Sequence, residues 1–216
     1  MAIDFRPFRF FVEGKGDRAF IRDTLIILYG LEIKGTNKVE DLIIDCEGFR
    51  NLSSKQKFFK EVYEGRQREG GKNILIFDAD FTGRENHHGF SGKMKFLENE
   101  KKNLGITFET FLFPNNKEDG TLETLLETCI HPGHANILEC WNDLEKCIDG
   151  KGKYTIPANK SKIYFYLECL LGETNTEKEK IKDPNRNFLE TDKWILDFTS
   201  NPYLQRLKTF FDSILL

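Results

Sequence analysis

Apolar residues fall along this chain in short continuous runs that alternate with longer segments of helical periodicity. Phe8–Val12 is broken only by Arg9 and bounded by Pro7 and Gly14, the pattern of a strand buried on both faces. Phe20, Ile21, Leu25 and Leu28 then keep helical spacing, with Asp17 placed to cap that helix and Gly30 to stop it. Val39–Cys46 reads as a second strand ending at Glu47-Gly48. Phe49–Glu69 reads as a helix with Leu52, Phe58, Phe59 and Val62 inward, broken by Gly70-Gly71. Ile74–Phe77 is the third strand and Ile106–Phe113 the fourth, stopped by Pro114. Between them Lys93–Asn103 forms a helix closed by Gly105, and its mixed charges predict an exposed face from Lys93 to Lys102.

Strands alternating with helices at intervals of about thirty residues imply βαβ units, hence a three-layer α/β fold with a mainly parallel four-stranded sheet. Right-handed crossovers put all four strand C-termini on one edge. Residues 1–113 form this core. Residues 114–216 read as a helical extension packed on it within one structural domain, with helices over Thr121–Cys129 and Ala135–Cys147 joined by the His131–His134 turn. Lys162–Leu171 is helical or extended. Glu173–Arg186, polar and of mixed charge, is expected to be a mobile loop. Trp194–Phe198 and Tyr203–Leu216 are expected to dock a C-terminal helix on the sheet.

The first and third strands end abruptly in acids, Glu13 and Asp78-Ala79-Asp80. In a strand, residues i and i+2 share a face, so Asp78 and Asp80 are expected to point the same way. Two carboxylates so placed repel unless a cation lies between them, and Mg²⁺ is the natural occupant of such a hard oxygen site. Glu13 joins them if the first and third strands are neighbours, which requires the order 2-1-3-4 with the site at its switch point. Gly14 and Gly16 would let the chain turn tightly behind Glu13.

Bulk composition narrows the classes. At 216 residues, 39% hydrophobic and 31% charged, the chain suits one well-solvated domain with a sizeable core. No apolar run is long enough to cross a bilayer, and no apolar leader precedes a small-residue cleavage site. Five cysteines without a Cys-x-x-Cys pair suit reduced thiols, so a cytoplasmic location is expected. A net charge of −3 argues against polyanion binding through the whole surface, but leaves a local cation site or lysine patch open.

Phe-Val-Glu-Gly-Lys-Gly-Asp at 11–17 and Phe-Asp-Ala-Asp at 77–80 resemble the two motifs of the Toprim domain of topoisomerases, bacterial primases and OLD-family nucleases. Phe-Pro-Asn-Asn-Lys-Glu-Asp-Gly-Thr-Leu-Glu at 113–123 is similar to a bacterial group related to those nucleases. The resemblance implies a metal-dependent nuclease using Mg²⁺ or Mn²⁺, acting on nucleic acid with DNA favoured. It assigns metal binding to Asp78 and Asp80, and a metal or acid/base role to Glu13. Asp17 matches the acid after the first motif. A later acid and a lysine of the OLD type fall on Glu123 and on Lys160 or Lys162. The chain shows no ATPase region, topoisomerase tyrosine domain or primase zinc module, so the domain is expected to act alone or with a partner chain, a separate ATPase being one candidate. The alternative is a non-catalytic module that binds nucleic acid or a protein partner.

Other patterns compete. Gly14-x-Gly16-x-x-Ala19 fits a loose dinucleotide fingerprint, but the adjacent acids would repel a pyrophosphate. His131, His134, Cys129 and Cys140 could be assembled into a zinc site, yet their spacing matches no standard knuckle and a helix–helix turn explains them better. His87-His88 falls in a loop at the acid-bearing edge. Lys151, Lys153, Lys160 and Lys162 interleave with Tyr154, Tyr164 and Tyr166, a combination suited to a phosphate backbone and stacked bases.

Overall fold

The computed structural model describes residues 3–32, 39–65, 70–83, 88–171 and 173–216. Strands β1 (Arg9–Val12), β2 (Ile43–Asp45), β3 (Asn73–Asp78) and β4 (Glu109–Phe113) form one sheet in the order β2-β1-β3-β4, every pairing parallel. The order is the one that the acid-bearing strand ends require.

Side-chain alternation divides the core. Phe10, Val12, Ile74, Ile76, Phe111 and Phe113 face one layer, while Phe11, Leu75, Phe77 and Leu112 face the other. The first layer receives α1 (Lys15–Tyr29), ended by Gly30 at φ 64°, where a left-handed residue closes the last turn. The second receives α3 (Gln56–Gly65) and α4 (Phe90–Leu104), with Phe59 stacked on Phe11 at 3.7 Å between ring centroids. Helices α5 (Leu122–Glu127), α6 (Ala135–Asp149), α7 (Asn159–Leu170), α8 (Asn175–Lys180) and α9 (Pro202–Leu215) follow β4. Leu122, Tyr166 and Phe211 share a buried cluster with Phe10, Phe20 and Phe111, so the C-terminal helices complete the core of the first layer. No helix among the described residues is long and apolar enough to cross a membrane.

Several local expectations change. Val39–Cys46 is not one strand: the short helix α2 (Val39–Leu42) precedes β2, because Val39 and Leu42, three apart, pack inward while Glu40 and Asp41 face water. The segment from Phe49 opens as a 3₁₀ helix, Phe49–Lys55, before α3 begins, and Phe58 is exposed whereas Leu52 and Phe59 are buried. The side chain of Val62 and residues 66–69 lie outside the described set. The fourth strand starts at Glu109, although Ile106 and Phe108 are already buried. Of Lys162–Leu171, all but Leu171 belongs to α7, which Leu171 caps in extended backbone.

Glu173–Arg186 is not an open loop. Thr174 and Glu177 form a reciprocal capping box that starts α8, and a 3₁₀ turn, Asp183–Asn185, follows. Arg22 donates to the Arg186 carbonyl at 3.1 Å, and buried Asp23 accepts from the Phe188 N–H at 2.8 Å. These bonds pin the segment to α1.

Candidate metal centre

Because β1 and β3 are neighbours with Val12 level with Ile76, Glu13, just past the end of β1, and Asp78, the last residue of β3, arrive at the same edge. The Asp78 N–H reaches Glu13 Oε2 at 3.4 Å. Asp17 stands in the first turn of α1 and Glu123 in the first turn of α5. All four acids, with Asp80, line one cleft of ≈ 530 Å³, a volume within the usual range of ligand sites.

Gly14 holds the N-cap of α1 in extended backbone, which any residue adopts, so it does not supply the tight turn expected of it. Its lack of a side chain serves proximity instead, since a Cβ there would lie 3.3 Å from Asp17 Oδ2. Asp17 is not the N-cap either. It sits at the third helical position, where the backbone N–H groups of the first turn favour its charged form.

The electrostatics set Asp17 and Asp78 apart. Burial raises the Asp17 carboxyl well above the ordinary aspartate range, and the charges of Glu13 and Glu123 push it further. Burial likewise raises Asp78, reinforced by Asp17, Glu13 and Glu123 and partly opposed by the Leu122 N–H, which donates to Oδ1 at 2.8 Å. Glu13 is raised by burial and by Asp80, while Lys93 pulls it down. Each keeps some surface open to the cleft and is otherwise enclosed.

Asp80 departs from the expected pairing with Asp78. β3 ends at Asp78, and Asp80 takes φ 61°, a left-handed conformation that aspartate tolerates. Its backbone is clamped there by reciprocal bonds with Gly120, at 2.8 and 3.0 Å. The strand alternation therefore stops two residues short of Asp80 and does not set the aspartates side by side. Asp78 bonds to the start of α5, whereas Asp80 Oδ2 lies 2.7 Å from Lys93 Nζ on α4 and 3.7 Å from His88 Nε2.

Lys93 was expected on a solvated face and is fully buried. Its ammonium also lies 3.8 Å from the centroid of the Phe49 ring. The signal was present in the helix stripe: Phe90, Lys93, Met94 and Leu97 recur at the spacing of an inward face.

The basic candidates divide. Lys160 lines the cleft and is hydrogen-bonded to Asp183. Lys162 does not line it: its ammonium is half a turn away on α7, paired with Glu127 at 2.8 Å, so a role at the acids is not met. Tyr166 is buried and donates to the Lys193 carbonyl, and Tyr164 donates to Asp183 with the Arg186 guanidinium 4.5 Å from its ring centroid, so Tyr166 offers no face for a stacked base and Tyr164 has one face taken. Arg186 was missed inside the expected loop; it lines the cleft with its guanidinium 3.0 Å from Asp183. His88 lines the cleft, and His87 lies outside the described residues. His131 accepts from the Gly133 N–H within the turn Pro132–His134, as a helix connection requires.

Among the described residues no three His, Cys, Asp or Glu side chains already stand at metal-ligating spacing. The donor chemistry nonetheless fits a hard divalent cation. Glu13, Asp17, Asp78 and Glu123 supply carboxylate oxygens alone, and among the described residues the charges acting most strongly on Asp17 and Asp78 are other carboxylates.

A family model described as protein of unknown function (DUF3226) matches residues 7–215. The chain belongs to the DUF3226 family. The DUF3226 match takes in both halves of the molecule, from the strand before Glu13 to the last turn of α9. No curated protein and no solved structure matches the chain.

Proposed function

We propose that the protein cleaves phosphodiester bonds in nucleic acid, DNA favoured, as a Toprim-like nuclease dependent on Mg²⁺ or Mn²⁺. The observation that carries this reading is the gathering of Glu13, Asp17, Asp78 and Glu123 from two strand ends and two helix starts around one cleft, with burial and mutual repulsion raising Glu13, Asp17 and Asp78. Carboxylates so arranged are relieved by a divalent ion. Asp78, Asp17 and Glu123 would hold it, and Glu13, reaching both Asp78 and the Lys93 side, would ligate or carry a proton to or from the reacting oxygen. A bound divalent ion supplies a nucleophilic hydroxide at neutral pH and neutralises charge on the phosphoryl oxygens. Lys160, across the cleft, would meet a non-bridging phosphate oxygen. The described cysteines are all free thiols, in keeping with a cytoplasmic enzyme. By the same resemblance it would act alone or with a partner chain such as a separate ATPase.

The purified protein should nick supercoiled plasmid in Mg²⁺ or Mn²⁺, and Asp78→Asn should abolish nicking. A second reading, a non-catalytic nucleic-acid-binding module, is favoured by one observation, the absence of a preassembled three-ligand group among the described residues. DNA binding that ignores chelator, with no cleavage of any substrate by the wild type, would establish that reading instead.

A further inference from the structure

The acids at the cleft are not equivalent. Asp17 and Asp78 face carboxylates, whereas Asp80 faces an ammonium that the fold has buried for it. The Lys93 side chain has no exposed surface, and it is held between Asp80 Oδ2 at 2.7 Å and the Phe49 ring at 3.8 Å. Lys93 lies on the stripe of α4 that carries Phe90, Met94 and Leu97 into the second core layer. Asp80 is equally fixed, because its left-handed backbone is locked to Gly120 by two bonds. A metal ion approaching Asp80 would meet a positive charge already in place, with His88 3.7 Å away on the same oxygen.

We infer that Lys93 is a positioning residue whose ammonium takes the place of a second metal ion at Asp80, so that the cleft accepts one divalent cation, on the Asp78 side. Lys93 also acts across to Glu13, so its charge links the two halves: it holds Asp80 and draws Glu13 toward the ionised form. The inference rests on the metal-dependent reading above and concerns its stoichiometry, which is measured without substrate. It reverses the weight that the Asp-Ala-Asp sequence suggests, since Asp78 becomes the ligand and Asp80 the lysine's anchor.

The test is a calorimetric titration of the full chain with Mn²⁺ in the absence of nucleic acid. One ion should bind per chain. Asp78→Asn should weaken binding about tenfold or more, the loss expected for a charged ligand. Asp80→Asn leaves a buried ammonium without its carboxylate, so the decisive protein is Lys93→Met/Asp80→Asn, which removes both charges together. That protein should still bind one ion with an affinity within a few-fold of the wild type, and Lys93→Met alone should take up a second. Two ions on the wild type, or loss of all binding in the double variant with its thermal transition intact, would overturn the inference. One bound ion without plasmid cleavage would leave Lys93 in its role and sink the nuclease reading. Cleavage with two bound ions would do the reverse.

Discussion

Asp78→Asn should make the metal-free protein more stable, the opposite of what removing a buried hydrogen-bonded residue normally does. The Leu122 N–H bond to Oδ1, 2.8 Å long, can be kept by the amide oxygen of asparagine, so the change removes charge and little else. What is removed is a carboxylate disfavoured by burial and by Asp17, Glu13 and Glu123. Two like charges about 6 Å apart repel by roughly 3 kcal/mol at an effective dielectric constant near 20, and access to cleft water reduces this. A gain of about 1–2 kcal/mol is the working figure, or roughly 2–8 °C in melting temperature for a chain of this size. The sign with pH follows from the raised acids. A carboxyl raised in the folded state binds a proton there that the unfolded chain has released, so stability falls as pH rises from about 4 through the raised folded value. The advantage of the variant should therefore be greatest above neutrality and vanish below about pH 4. Adding Mg²⁺ should reverse the order, since an ion at a hundred times its dissociation constant stabilises the wild type by about 2.7 kcal/mol. Thermal melts in chelator and in Mg²⁺, from pH 4 to pH 8, read all of this. A variant less stable than the wild type at pH 8 in chelator would refute the reasoning.

Asp183→Asn should destabilise the protein by about 2–4 kcal/mol in urea unfolding, because it strips the carboxylate from the buried Arg186 guanidinium and also loses Lys160 and Tyr164. Burial alone would raise the Asp183 carboxyl, but its bonds to Lys160 and Tyr164 and the charge of Arg186 hold it below the usual range. That contribution is thus present above about pH 4 and lost as pH falls further. Phe211→Ala should cost about 3–5 kcal/mol, as α9 docks on the sheet through this buried ring, edge-on to Phe10 at 5.8 Å. Thr174→Ala should cost about 1 kcal/mol through the capping box and raise amide exchange in α8 before anywhere in the sheet.

The sheet was legible because its strands are uninterrupted apolar runs and parallel crossovers allow few arrangements. The neighbouring of Glu13 and Asp78 followed from that order. Asp80 escaped, because strand alternation does not run the two residues past the end of β3, where a left-handed turn redirects the chain. Lys93 is masked by the charge content of its segment, although its place on the Phe90–Leu97 stripe marks it as inward. Arg186 and Asp183 were hidden in a segment whose polarity resembles a loop. Its order comes from a capping box and from buried bonds to Arg22 and Asp23, more than a hundred residues away in sequence. Lys160 and Lys162 are two residues apart on one helix, so only the fold decides which reaches the cleft.

The most direct measurement is the cleavage of end-labelled DNA by the wild type and by Glu13→Gln, with Mg²⁺ or Mn²⁺ added and then chelated. The account predicts cleavage by the wild type that stops on chelation, and a Glu13→Gln protein that still melts cooperatively but cuts at least about a hundredfold more slowly. Cleavage that continues in chelator, or an equal rate with Glu13→Gln, would contradict it.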